Sequence, residues 1–104
     1  MVPVTVQGVA FENTGTPVVL LLEVNGERTL PIWIGPGEAS AISMRLGNHQ
    51  LARPLTHDLA ASFVAALGGR VVAARIHSWV GNMYFAEVVL ERDGEVIAVD
   101  SRPS

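Results

Sequence analysis

Hydrophobic and polar positions follow short-range alternation through most of the chain, and two stretches switch to helical spacing. Val2 to Phe11 mixes small, polar and branched residues and stops at Glu12-Asn13-Thr14-Gly15, the pattern of a strand entering a turn. Pro17 to Val24 reads as a buried strand. Asn25-Gly26, the strongest short hairpin signal, joins it to Arg28–Ile34 as an antiparallel neighbour. Gly35-Pro36-Gly37 ends that sheet. From Glu38 to Leu46, Ala39, Ile42 and Leu46 recur on one helical face, closed by Gly47-Asn48.

The second half repeats the plan. Thr56 has the chemistry of an N-cap, and Leu59, Phe63, Val64 and Leu67 form an apolar stripe, which predicts a helix over Thr56–Leu67 stopped by Gly68-Gly69. Arg70–Trp79, Asn82–Arg92 and Glu95–Val99 read as strands, with Asp93-Gly94 as a second hairpin turn. Leu20-Leu21-Leu22-Glu23-Val24-Asn25-Gly26-Glu27 overlays Val88-Val89-Leu90-Glu91-Arg92-Asp93-Gly94-Glu95 at an offset of 68, and the same offset lays the first strand on the one after Gly69. The fold class predicted is α+β: two similar β-rich halves of β-β-β-α type, forming a mixed or antiparallel sheet with helices packed against it. In this scheme Ser101-Arg102-Pro103-Ser104 answers Gly35-Pro36-Gly37 and introduces a further helix capped by Ser104.

Composition narrows the picture. The 104 residues suit one domain over 1–104 with a real core. There is no cysteine, hence no disulfide or thiolate metal site, and no charged n-region followed by an apolar h-region opens the chain, so a cytoplasmic location is expected. The longest apolar run, Pro17 to Leu22, is far below the ~20 residues of a membrane span, so no membrane partner is expected. A hydrophobic fraction of 49% predicts self-association, as a dimer or trimer. The net charge of -3 opposes an extended basic face of the kind that binds nucleic acid. Phosphate-binding Gly-Lys loops, dinucleotide Gly motifs, His-Glu-x-x-His zinc sites and serine nucleophile elbows are all absent from the sequence.

The densest chemistry lies in Arg53-Pro54-Leu55-Thr56-His57-Asp58-Leu59. His57 stands in the first helical turn and carries an imidazole, the side chain best suited to relay a proton in phosphodiester cleavage. Free backbone N–H groups around Thr56 make a phosphate cradle, to which Arg53 adds a bidentate contact, with Arg102 as a further phosphate ligand. Asp58 and Glu38 stand in first turns, where acids also serve the helix dipole. With Asp100 at the end of the last strand they supply oxygen ligands for Mg²⁺ or Mn²⁺. Arg45, His49, Arg53 and His57 recur every four residues, but Gly47 and Pro54 break any helix through them, leaving an electropositive connector. His77, Trp33, Trp79, Tyr84 and Phe85 fall on strand positions and are read as core or interface.

The Arg53-to-Leu59 segment, with Leu30-Pro31-Ile32-Trp33-Ile34-Gly35, Glu38-Ala39 and Asp100-Ser101-Arg102-Pro103-Ser104, resembles the bifunctional nuclease (BFN) domain family over nearly the whole chain. The resemblance implies a nuclease, a phosphodiester hydrolase acting on DNA or RNA. His57, Asp58 and Glu38 are then the catalytic candidates, Arg53, Thr56 and Arg102 bind phosphate, and Glu38, Asp58 and Asp100 hold the metal. It also implies a terminal helix beyond Ser104. The rival is a non-catalytic homo-oligomeric domain in which Arg53, His57 and Arg102 receive an anionic metabolite or a protein carboxylate.

Overall fold

The computed structural model describes residues 1–48 and 55–103. Elements follow in the order β1 (Val4–Phe11), β2 (Pro17–Glu23), β3 (Thr29–Trp33), α1 (Pro36–Leu46), α2 (Thr56–Ala66), β4 (Gly69–Val80), β5 (Met83–Arg92) and β6 (Glu95–Ser101). They divide into two compact units, Met1–Ala52 and Arg53–Pro103. Each unit carries its own three-stranded sheet, in the orders β1-β2-β3 and β4-β5-β6, and every pairing is antiparallel. The α+β reading with two similar β-rich halves therefore stands, with two separate sheets in place of one.

The register confirms the offset for two strands of each half and corrects it for the first. Leu22 pairs with Thr29 as Leu90 pairs with Ile97, each 68 residues on. In contrast, Gly8 pairs with Leu20 as Ala74 pairs with Val88, so β1 and β4 correspond at 66 (74 − 8). Five residues, Glu12–Thr16, connect β1 to β2, whereas Gly81-Asn82 alone connect β4 to β5. The first strand of each half carries a bulge at nearly the same place, at Gln7 and at Val72, and β4 has a second at His77.

Turn chemistry sets these connections. Gly81 and Asn82 (φ 58° and 62°) and Asp93 and Gly94 (φ 51° and 78°) take left-handed conformations in succession, the requirement of a type I′ turn whose twist matches the strands. Asn25-Gly26 does not turn this way. The chain loops through Val24–Arg28, closed by a Glu23 N–H bond to the Arg28 carbonyl (3.0 Å) and by Arg28 Nε donating to Glu23 Oε2 (2.7 Å). The Glu23 carboxylate folds beneath the loop where a Cβ on residue 26 would meet it, so a side chain there would have to displace the carboxylate, and Gly26 does not serve a positive φ.

In the first unit Val19 and Ile32 are register partners on one face and both are buried. Ile32 is the most buried of the apolar core at 3% exposure, while Trp33, one residue on and therefore on the opposite face, is 49% exposed. Helix α1 lies against β1 and β2 and buries Ala39, but Leu46 of the predicted stripe is exposed. Asn48 (φ 56°), not Gly47, takes the left-handed place after its last turn.

In the second unit the two registers sort side chains onto two faces. Rungs Val71–Leu90–Ile97, Ala74–Val88–Val99 and Ile76–Ala86–Ser101 make an apolar face. Rungs Arg70–Glu91–Val96 and Arg75–Glu87–Asp100 bring charges to the other, on either side of an apolar Ala73–Val89–Ala98 rung whose Val89 is buried. Helix α2 lies against β4 through its C-terminal end, where Val64 occupies the space a side chain on Gly69 would need. No α2 residue is buried, and the Leu59, Phe63 and Leu67 stripe is exposed. Of the residues read as core or interface, Trp33, Trp79 and Phe85 are exposed and so are not core, as is His77, which the bulge turns out of the ladder, while Tyr84 is half-buried. Among the described residues no helix is long and apolar enough to cross a membrane.

Candidate functional site

Helix α2 begins one residue before the sequence suggests. Leu59 N–H donates to the Leu55 carbonyl (2.8 Å), which makes Leu55 the N-cap and puts Thr56 inside the first turn. The predicted Thr56 cap is absent. Asp58 explains the shift: its Oδ2 accepts the Leu55 N–H at 3.0 Å and closes the turn from three residues ahead. A leucine side chain cannot accept the N–H groups of the opening turn, so these remain open to an anion, beside an exposed His57. Arg53 lies outside the described residues, as do His49 and Ser104.

Glu38 belongs to the other unit, in the first turn of α1. Its carboxylate folds back over the N-cap Gly35, where a Cβ would come within 2.5 Å of Oε2, and the residue is half-buried. Asp100 is exposed on β6 and faces Glu87 across the ladder. Arg75 stands on the other side of Glu87, with Nη1 at 3.8 Å from Oε1. Arg102 follows β6 and is exposed. Within either unit, among the described residues, no three His, Asp or Glu side chains gather at metal-ligand spacing.

The pairing of Glu87 with Asp100 escaped the sequence reading although a signal for it was present. The Asp93-Gly94 turn pairs Arg92 with Glu95, and counting back along both strands brings Glu87 opposite Asp100. Three of the six described arginines are spent in ion pairs: Arg28 with Glu23, Arg70 with Glu91 at 2.9 Å, and Arg75 with Glu87. The hydrogen bond that Arg28 donates to Glu23, then the Glu23 charge, raises the Arg28 pKa above its ordinary value. Cationic contact to a phosphate in the described residues thus falls to Arg45, Arg92 and Arg102.

Comparison with known proteins places these features in a family. The chain is 41% identical over 102 residues to an uncharacterised protein of Mycobacterium tuberculosis strain CDC 1551 / Oshkosh, and equally to one of strain ATCC 25618 / H37Rv. The match takes in 97% of this chain and 60% of each relative, so the chain spans less than two thirds of their length. The family model of the bifunctional nuclease domain matches residues 19–104, a span that runs from within β2 to the end of β6 and includes both helices. The chain belongs to the bifunctional nuclease domain family.

Proposed function

We propose that this domain binds nucleic acid and hydrolyses its phosphodiester bonds at the start of α2. Family membership carries the reading, and the opening turn of α2 supports it: uncapped N–H groups, an exposed imidazole and a carboxylate anchored to the turn. The N–H groups of this turn, with Thr56, Arg53 and Arg102, bind the non-bridging phosphate oxygens, where negative charge grows in the transition state. Water attacks phosphorus and the bond to the leaving oxygen breaks. His57 serves as the general acid or base for the accompanying proton transfer. Asp58 holds the turn that carries His57, and Glu38 is the remaining catalytic candidate.

Carboxylates are the right donors for Mg²⁺ or Mn²⁺: Asp58 and Asp100 are the candidates in the second unit, and Glu38 is a separate candidate in the first. With no acidic triad inside a single unit, the fit is to an ion that keeps water and phosphate oxygens as its other ligands, as Mg²⁺ commonly does. Such an ion, when bound, neutralises phosphoryl charge. Self-association as a homo-oligomer brings two Arg53-to-His57 connectors into one assembly, which adds local positive charge although the total charge of two chains doubles to -6 (2 × -3).

The net negative charge and the three arginines already paired with glutamates favour a second reading, an anion-binding domain without catalysis. Incubating the purified protein with labelled single-stranded and duplex DNA and RNA, in Mg²⁺, Mn²⁺ or chelator, separates the two. Shortened products that follow protein concentration support hydrolysis. Intact substrates under every condition, with a melting temperature raised by phosphate or a nucleotide, support the second reading.

A further inference from the structure

Asparagine is a thermolabile residue because the next backbone nitrogen can attack its side-chain carbonyl carbon and close a cyclic imide. The bulk of the following residue and the backbone torsion that brings its nitrogen round to the side chain control that step. Of the four asparagines, Asn13 precedes the β-branched Thr14, Asn48 precedes His49, Asn82 precedes Met83, and Asn25 precedes Gly26, which has no Cβ to shield its nitrogen. Asn48 and Asn82 are also held at φ 56° and 62°. In that left-handed region ψ is about +45°, which turns the next nitrogen almost opposite Cβ and out of reach. Asp93, at φ 51°, is shielded in the same way, and Asp93-Gly94 is the other place where an Asn or Asp precedes glycine.

Asn25 lacks that protection. It is exposed and does not take a positive φ. The loop around it is closed at its ends, by the Glu23 N–H on the Arg28 carbonyl and by the Arg28 side chain on the Glu23 carboxylate. Among the described residues the Gly26 N–H donates to no acceptor, so the attacking nitrogen is not tied down. We propose that Asn25 is a site of spontaneous deamidation, at which the Gly26 nitrogen attacks Asn25 Cγ. The N–Cγ bond forms, the bond from Cγ to the side-chain nitrogen breaks, and ammonia leaves with the proton lost from Gly26. Water then opens the imide, giving aspartate where it adds at Cγ and isoaspartate where it adds at the main-chain carbonyl. Either product sets a further carboxylate between Glu23 and Glu27 and takes the chain from -3 to -4 (-3 - 1). The new charge competes with Glu23 for Arg28, the cation that closes the loop. Isoaspartate also carries the main chain through an extra methylene. The site lies wholly in the first unit and is independent of the nuclease reading.

The wild-type chain tests this without a variant. It is incubated at mildly alkaline pH, folded and, in parallel, unfolded in guanidinium chloride, and samples taken over time are digested with trypsin. Arg28 is the first arginine and no lysine precedes it, so the peptide Met1–Arg28 carries Asn25 together with Asn13 as an internal control. Deamidation adds about 1 Da, and fragment masses locate it within the peptide. In the folded chain Asn25 is expected to react faster than Asn13 and at no less than about a tenth of its rate in the unfolded chain. A slower reaction than that means that the loop must open before the nitrogen reaches the side chain, and it overturns the proposal. So does a folded-state rate at Asn25 no greater than at Asn13. Asn25→Gln, whose longer side chain would have to close a larger ring, is expected to abolish the mass gain between Val24 and Arg28; a gain that persists there overturns the assignment to Asn25.

Discussion

Truncating two neighbouring residues of β3, Ile32 and Trp33, measures which face of the first sheet is the core. Ile32 is 3% exposed and pairs with buried Val19, whereas Trp33 is 49% exposed on the other face. Ile32→Val removes one methylene, worth about 0.8 kcal/mol in transfer, and the partly relaxed gap brings the cost to about 1 kcal/mol. Ile32→Ala removes about three such groups and leaves a larger cavity, for about 3 kcal/mol. Trp33→Ala loses only the part of the indole that is covered, and is expected to cost about half as much as Ile32→Ala or less. Urea unfolding followed by far-UV circular dichroism reads the difference. With m about 1.5 kcal/mol/M, Ile32→Ala lowers the midpoint by about 2 M and Trp33→Ala by about 1 M or less. A one-residue slip of β3 would exchange the two faces. A larger loss for Trp33→Ala than for Ile32→Ala therefore refutes the register.

Other substitutions test the turns. Gly94→Ala, at φ 78°, is expected to cost about 1–2 kcal/mol and lower Tm by roughly 5–10 °C, whereas Asp93→Asn, at a position asparagine tolerates, leaves Tm nearly unchanged. Gly26→Ala pushes the Glu23 carboxylate away from Arg28, so its destabilisation should largely vanish in a Glu23→Ala background; additive losses in the double variant would contradict that contact. Asp58→Ala removes the acceptor of the Leu55 N–H and is expected to cost about 1 kcal/mol in thermal unfolding, with Asp58→Asn costing less.

What the sequence disclosed follows from how local each signal is. Asp93-Gly94 needs only its own two residues to adopt a type I′ turn, and it turns as the dipeptide implies. Asn25-Gly26 carries the same signal and loses it to the Glu23–Arg28 pair, a contact between side chains that dipeptide preference does not weigh. Periodicity found α2 but assigned Leu59, Phe63 and Leu67 to packing, because spacing shows that a helix has an apolar side and not what covers it. Thr56 had the chemistry of a cap and was displaced by Asp58, whose reach back to Leu55 moved the boundary by one residue. The site was less legible than the fold. Glu38 and Asp58 each satisfy a helix start, so their residue types alone do not separate a structural acid from a catalytic one. Asp100 acquired meaning only from strand register, which set Glu87 across from it.

The single-turnover cleavage rate of a labelled oligonucleotide by wild type and His57→Gln, with matching circular dichroism and melting curves, tests the proposed hydrolysis most directly. Removal of the proton-transferring imidazole from an exposed helix start is expected to leave the fold intact and slow cleavage by about a hundredfold or more. Equal rates in the two proteins would contradict a catalytic His57 and remove the start of α2 as the reacting centre.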